Sequence, residues 1–308
     1  MKKIDLHLHS LPTISDATFN FSLDKLKEYV STMEIDCIAI TNHNKFDKEQ
    51  FETITSSIGI TTLPGIEIDL EKGHLLLISD NKDLDDFSDK CALVEAKIIS
   101  STDFITVAEL RSLFPDLSQY ILIPHYDKKP IVRQEIIDSL KEFISAGEVA
   151  SVRKFKTCMK ETDKLVPVIF SDTRFSDSMG AFSTRQTFID LDVITFTGIR
   201  SCLYDKGKVF LSKDDGNELF QITDDGIKVS TGLNVMFGER STGKTFVLKK
   251  ICTSMDNVKH IEQFSLLQND EKKFDDLMSI RHSRLSESFL KEFKEVSGRC
   301  GKNRFKAK

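Results

Sequence analysis

The chain has 308 residues, with 43 Lys plus Arg against 48 Asp plus Glu and a formal net charge of −5. That length suits two domains and a sizeable buried core, and 40% hydrophobic with 30% charged residues excludes a disordered or fibrous chain. The mild acidity makes no global case for nucleic-acid binding, although a local basic groove stays open.

In chain order, Ile4–His9, Asp36–Thr41, Thr61–Ile66, His74–Ser79, Tyr120–Pro124, Val166–Ser171 and Asp192–Phe196 are predicted strands. Several are continuously apolar, as strands buried on both faces should be. Between them, Leu23–Met33 carries Leu23, Leu26, Val30 and Met33 at helical spacing, and Ile131–Ala146 behaves similarly. Residues 81–118 read as mainly helical, a flap or an insertion. Alternating strands and helices in this number predict an α/β fold, with a barrel favoured over an open sheet.

The texture changes after about Tyr204. Lys208–Ser212, Leu219–Thr223 and Gly226–Ser230 are short predicted strands separated by Asp-Asp-Gly turns. Leu233–Phe237 is a further one, leading into a Gly-containing loop and a helix from Lys244. Apolar residues at 274, 277, 285, 289, 293 and 296 predict an amphipathic helix. The closing GRCGKNRFKAK, five basic residues and no acid, is expected to be disordered. No internal repeat or low-complexity segment is present. The six cysteines (Cys37, Cys91, Cys158, Cys202, Cys252, Cys300) form no C-x-x-C pair, which fits reduced thiols in a cytoplasmic protein. No apolar run nears the roughly 18 residues of a membrane span. The opening MKKIDLHLHS sets Asp and His where a signal peptide is apolar, so neither secretion nor a membrane partner is expected.

His7-Leu8-His9 lies on a predicted strand, so its two imidazoles share a face. Such a pair is weak evidence for a metal by itself. Ser10 and Asp16 follow, His43 closes the next strand in AITNHN, Glu67 sits in LPGIEI and His74 opens HLLLI. His125 follows ILIP, and Asp172 follows PVIFS. Strand ends converge at one rim of a barrel, and recurrence of ligand-type residues there is not the pattern of an ordinary core. Mixed imidazole and carboxylate donors suit zinc, manganese or iron. Such ions lower the pKa of a bound water to about 7 and stabilise charge on phosphoryl oxygens.

With DLHLHS and SDA, AITNHN, GIEI, the His of HLLLI, IPHY and FSDT, residues 1–205 resemble the polymerase and histidinol phosphatase (PHP) family of metal-dependent phosphoesterases. The resemblance implies a distorted seven-stranded barrel with two or three divalent ions at its rim. His7, His9, Glu67 and Asp172 would hold one ion. Glu67 would bridge to a second held by His74 and His125, and a third would use Asp16 and His43. The family's last motif ends in S-D-x-H, but this chain has Ser171-Asp172-Thr173-Arg174. An arginine offers only donors and cannot ligate a cation, so the third ion loses a ligand, and Arg174 becomes a candidate contact for a substrate phosphate. Asn42 also stands where the family usually has Asp, which removes a charge beside His43. His125 and His43 are candidates for donating a proton to the leaving group, a role that competes with ligation.

Gly238-Glu239-Arg240-Ser241-Thr242-Gly243-Lys244-Thr245 fits the phosphate-binding pattern G-x-x-x-x-G-K-[ST] between a predicted strand and a predicted helix. Backbone N–H groups of Gly238, Ser241, Thr242 and Gly243 would wrap phosphates, Lys244 would reach the β- and γ-phosphates, and Thr245 would hold Mg²⁺. Residues 206–308 resemble the first part of an ABC-type ATPase head of the SMC and RecF kind, with Gln263 as a weak Q-loop candidate. No Walker B carboxylate pair is visible, so ATP turnover by this chain is expected to be negligible. The order of the two parts resembles TrlF-like PHP–ATPase fusions. The expected function is therefore a metal-dependent, nuclease-like phosphoesterase coupled to ATP with Mg²⁺, acting on nucleic acid or nucleotides. A homodimer, or a missing ATPase half, would complete the head. The competing expectation is a non-catalytic sensor or assembly module that binds metal and nucleotide.

Overall fold

The computed structural model describes residues 1–213, 219–230, 234–255, 258–261 and 278. The chain divides into two compact units, Met1–Asp256 and Asn257–Lys308, and the histidine-rich site lies wholly in the first. Gln263, the helix expected over 274–296 (Met278 apart) and the basic tail lie outside the described residues.

The elements run β1 (Lys2–His9), α1 (Leu23–Thr32), β2 (Cys37–Ile40), α2 (Lys48–Ile58), β3 (Thr61–Leu70), β4 (Gly73–Ile78), α3 (Leu84–Glu95) and α4 (Val107–Leu113). Then come β5 (Ile121–Asp127), α5 (Gln134–Leu140), β6 (Gly147–Val149), α6 (Val152–Lys160), β7 (Pro167–Val168), β8 (Thr173–Arg174), β9 (Thr187–Ile189) and α7 (Phe196–Leu203). The short strands β10 (Val209–Phe210), β11 (Leu219–Gln221) and β12 (Lys228–Ser230) precede α8 (Lys244–Ser254).

One mixed sheet of ten strands runs β10-β9-β1-β2-β3-β4-β5-β6-β7, with β8 also pairing β1. The resemblance implies seven strands, and several of the ten here hold only two or three residues. Because β8 follows β7 closely and pairs in parallel with β1 through Leu8 and His9, the two ends of the sheet come together. Side chains complete the seam: Asp5 Oδ1 accepts from Ser171 N at 3.1 Å, and Thr187 Oγ1 accepts from Ile169 N at 3.0 Å. The result is a nearly closed, barrel-like sheet.

Alternation along the strands builds a core on each face. Ile38, Ile40, Leu75, Leu77 and Leu122 join one apolar cluster with Leu26 and Tyr29 of α1, Phe51 and Ile54 of α2 and Phe87 of α3. Their neighbours Cys37, Ala39, Leu76, Ile78, Ile121 and Ile123 join another with Phe155 of α6 and Ile199 of α7. Side-chain caps mark the helix starts: Ser22 accepts from Lys25 N, Asp47 from Gln50 N, and Thr106 forms a reciprocal capping box with Glu109.

Four expectations change. The strand expected at Asp192–Phe196 lies earlier, at Thr187–Ile189, antiparallel to β1. Val193 is exposed, and Thr195 instead caps α7. The helix expected over 131–146 covers only Gln134–Leu140, because Ile144 pairs with Leu122 and leads into β6, a strand too short to show periodicity. In the expected strand Val166–Ser171, only Pro167 and Val168 pair in a ladder, since Ser171 turns aside to Asp5. Residues 234–237 of the expected strand Leu233–Phe237 belong to no strand, and Val235 and Phe237 are exposed. Among the described residues, no helix is long and apolar enough to cross a membrane.

Candidate metal centre

The ends of β1, β3, β4, β5 and β6, with the turns after β2 and β7, converge on one buried cluster. Asp5, His7 and His9 share a face of β1. His43 is held opposite Glu67 by two backbone bonds, Glu67 N to Asn42 O at 3.0 Å and Asn44 N to Glu67 O at 2.7 Å. Asn44 takes a left-handed backbone (φ 52°), which Asn tolerates. Its amide clamps Asp69, donating to Oδ2 at 2.7 Å and accepting from Asp69 N at 2.8 Å. Asn42 Oδ1 accepts from Ser10 N and Leu11 N at 2.6 and 2.9 Å, pinning the chain as it leaves β1. Asp172 also sits at positive φ, 52°, aimed by the turn that Asp5 holds.

Glu67 is the hub. Its Oε2 lies 3.0 Å from His7 Nε2, 3.4 Å from His9 Nε2 and 3.1 Å from His43 Nδ1. Its Oε1 lies 2.7 Å from His74 Nδ1 and 3.2 Å from His125 Nε2. Asp172 Oδ1 is 3.0 Å from His9 Nε2 and 3.5 Å from His7 Nε2. The structure thus brings together His7, His9, His43, Glu67, His74, His125 and Asp172. Asp16 stands at the edge, 3.8 Å from His43 Nε2, tied to Arg174.

Three further groups complete the cluster, and sequence reasoning missed them. Glu148 of β6 accepts from His7 Nδ1 at 2.8 Å and stands 3.3 Å from His125 Nε2. Lys128 Nζ bridges Glu148 Oε1 (2.7 Å) and Asp172 Oδ2 (2.9 Å). Asp69 Oδ1 lies 3.0 Å from His74 Nε2. Asp69 was legible, since it sits two residues past Glu67 on the same strand face. Glu148 and Lys128 had no such signal, one on a three-residue strand and the other just after β5.

Charge is divided unevenly among the rings. Burial and Lys128 oppose a charge on His7, but Glu67, Glu148 and Asp172 outweigh them and push it up to about 10. Burial likewise opposes His74, while Asp69 and Glu67 raise it to about 9. Burial lowers His9 and His125, and brings His43 down to about 4. Burial also works against ionisation of Glu67, yet the surrounding imidazoles hold its carboxyl well below the usual range. Buried polar atoms nearly always find partners. Here His9 Nδ1, His43 Nδ1, both ring nitrogens of His125 and Asp69 Oδ1 are buried without a hydrogen bond. Three-residue sets such as His7–His9–Asp172 and Glu67–His74–His125 bring their donor atoms within 4.8 Å of one another. The neutral imidazoles of His9, His43 and His125, the ionised carboxylates and the unsatisfied atoms facing them fit a divalent metal ion, which would displace the protons of His7 and His74.

Residues 238–243 form an exposed turn before α8, with Ser241 and Gly243 at positive φ, and Lys244 and Thr245 open the helix. Lys244 Nζ folds back on the carbonyls of Gly238 (2.7 Å) and Glu239.

No protein-family model and no curated protein matches the chain. Among solved structures it is similar to a two-domain protein from Bacteroides vulgatus that contains a predicted PHP-like metal-dependent phosphoesterase, at 16% identity and a TM-score of 0.45. That likeness covers 68% of this chain and 64% of the other, so it spans less than two thirds of the Bacteroides protein. It is also similar to a proposed metal-dependent phosphoesterase from Bifidobacterium adolescentis, at 13% identity, covering 65% and 95% of the two chains with a TM-score of 0.37.

Proposed function

We propose that this chain is a metal-dependent phosphoesterase whose ions sit among His7, His9, Glu67, His74, His125 and Asp172. The observation that carries the reading is His125 Nε2. It is buried between Glu67 Oε1 and Glu148 Oε2 at 3.2 and 3.3 Å, yet makes no hydrogen bond. A ring nitrogen so placed is suited to a cation between it and the carboxylates.

Divalent ions bound there would supply a water of lowered pKa and charge stabilisation at phosphoryl oxygens. The chain's own groups do the positioning. Glu148 holds the Nδ1 proton of His7, which presents Nε2 to the centre. Glu67, reached by five imidazoles, would offer both carboxylate oxygens to the ions. Lys128 fixes Glu148 and Asp172 together, so neither carboxylate swings away. The substrate class in this reading is a phosphodiester of a nucleotide or nucleic acid. That part rests on the loop Gly238–Thr245, whose pattern suits ATP and Mg²⁺ and suggests control by nucleotide binding.

Elemental analysis of purified protein, paired with hydrolysis of a chromogenic phosphodiester and a labelled oligonucleotide, tests the reading. Bound divalent ions, with cleavage abolished in the His7→Ala/His9→Ala double variant, are expected. Metal-free protein, or cleavage that survives the double substitution, rejects it. Cleavage of the chromogenic ester but not the oligonucleotide would remove the nuclease part alone.

A further inference from the structure

Arg174 takes the last position of the strand motif that runs from Ser171. Its guanidinium points inward, with its side chain only 31% exposed. Nε donates to Asp16 Oδ1 at 2.7 Å, and Nη2 lies 2.7 Å from the same oxygen. Nη1 donates to Asp172 O at 3.0 Å and to Asp172 Oδ1 at 2.7 Å, and Nη2 approaches His43 Nε2 at 3.2 Å. A guanidinium has five N–H groups. Four hydrogen bonds and the ion pair with Asp16 therefore engage all three nitrogens within the protein.

The consequence for His43 follows from tautomer chemistry. A ring nitrogen that accepts from an arginine uses its lone pair, so the proton of a neutral ring sits on the other nitrogen. His43 would then carry its proton on Nδ1, beside Glu67 Oε2 at 3.1 Å. His43 Nε2 is thereby withdrawn from the side of the ring that faces Asp16. Asp16, whose side chain is fully buried, has its Oδ1 taken up by the same guanidinium. A divalent ion placed among Asp16, His43 and Asp172 would also meet a permanent positive charge.

We propose that the Arg174 guanidinium is a built-in cation standing where Asp16, His43 and Asp172 would otherwise hold a metal ion, which takes Asp16 Oδ1 and His43 Nε2 out of the metal-binding set. The inference rests on the metal reading of the neighbouring cluster, but it is tested by a difference between proteins rather than by the wild-type count.

Wild type, Arg174→His and Asp16→Asn are each dialysed to equilibrium against Mn²⁺ or Zn²⁺, and bound metal is measured by elemental analysis. Arg174→His removes the cation and adds a ligand-type ring, so it is expected to bind one further ion per chain. Asp16→Asn keeps the acceptor for Arg174 and is expected to bind as many ions as wild type. An Arg174→His protein with the wild-type count overturns the proposal, as does loss of an ion in Asp16→Asn. Should Arg174→His fail to fold, the Asp16→Asn comparison decides. Metal-free wild type would reject the phosphoesterase reading, while a gain in Arg174→His would still support the role given to Arg174.

Discussion

Lys128 offers a sharp test of how the cluster is held when no metal is bound. Lys128 is 8% exposed, and its ammonium sits 2.7 Å from Glu148 and 2.9 Å from Asp172. At an effective dielectric of about 20, unit charges at these separations attract by about 6 kcal/mol each before desolvation is counted. Burial opposes the charge, yet Glu148, Asp172 and Glu67 together hold the Lys128 pKa above its usual value. Lys128→Met preserves most of the side-chain volume and removes the charge, leaving Glu148 fully buried against an apolar stem. Breaking a buried pair by deleting one partner costs about 3–5 kcal/mol. At about 2–4 °C per kcal/mol for a domain of this size, the melting temperature should fall by about 6–20 °C. The assay is thermal unfolding by circular dichroism with a chelator present throughout, so that fixed charge alone is read. A variant melting within about 2 °C of wild type would refute the claim that Lys128 compensates these carboxylates.

Asp5 should give a distinct pH signature. Burial raises its carboxyl to about 6 against hydrogen bonds from Ser171 and Tyr29. A carboxyl raised in the folded state takes up its proton more readily there than in the unfolded chain, so its contribution is fully present at low pH. It is lost as pH rises from about 4 to about 6. Subtracting wild-type from Asp5→Asn stability by urea unfolding should therefore give a difference that climbs across that window, and a flat difference contradicts the assignment. Gly73→Ala is expected to destabilise by about 1–3 kcal/mol through overpacking. Its Cβ would meet Val132 N at 2.5 Å and Ile131 O at 2.6 Å, both backbone atoms that cannot swing aside. An unchanged urea midpoint would show that the backbone at Ile131 and Val132 yields to the added methyl.

Much of the centre was legible because each residue announces itself locally. His7 and His9 share a strand face by the period of two, and Glu67, His74 and His125 lie on strands whose apolar runs mark them. The strands β1 to β5 follow from the same runs, since a continuous apolar segment has few ways to be buried other than inside a two-sided sheet. The β9 register was not legible. Asp192–Phe196 and Thr187–Ile189 are both short segments with apolar residues, and only pairing with β1 decides between them.

What tertiary structure alone decided is which charged groups meet. His7 finds Glu148 across 141 residues, and Arg174 finds Asp16 across 158. No periodicity links such positions, because a closed sheet sets them together through strand order rather than spacing. The sequence by itself showed that Arg174 cannot be a metal ligand, a matter of its donors and its permanent charge. Only the folded chain showed where those donors go: they turn inward to Asp16, Asp172 and His43, because closing β8 onto β1 carries the guanidinium over the site.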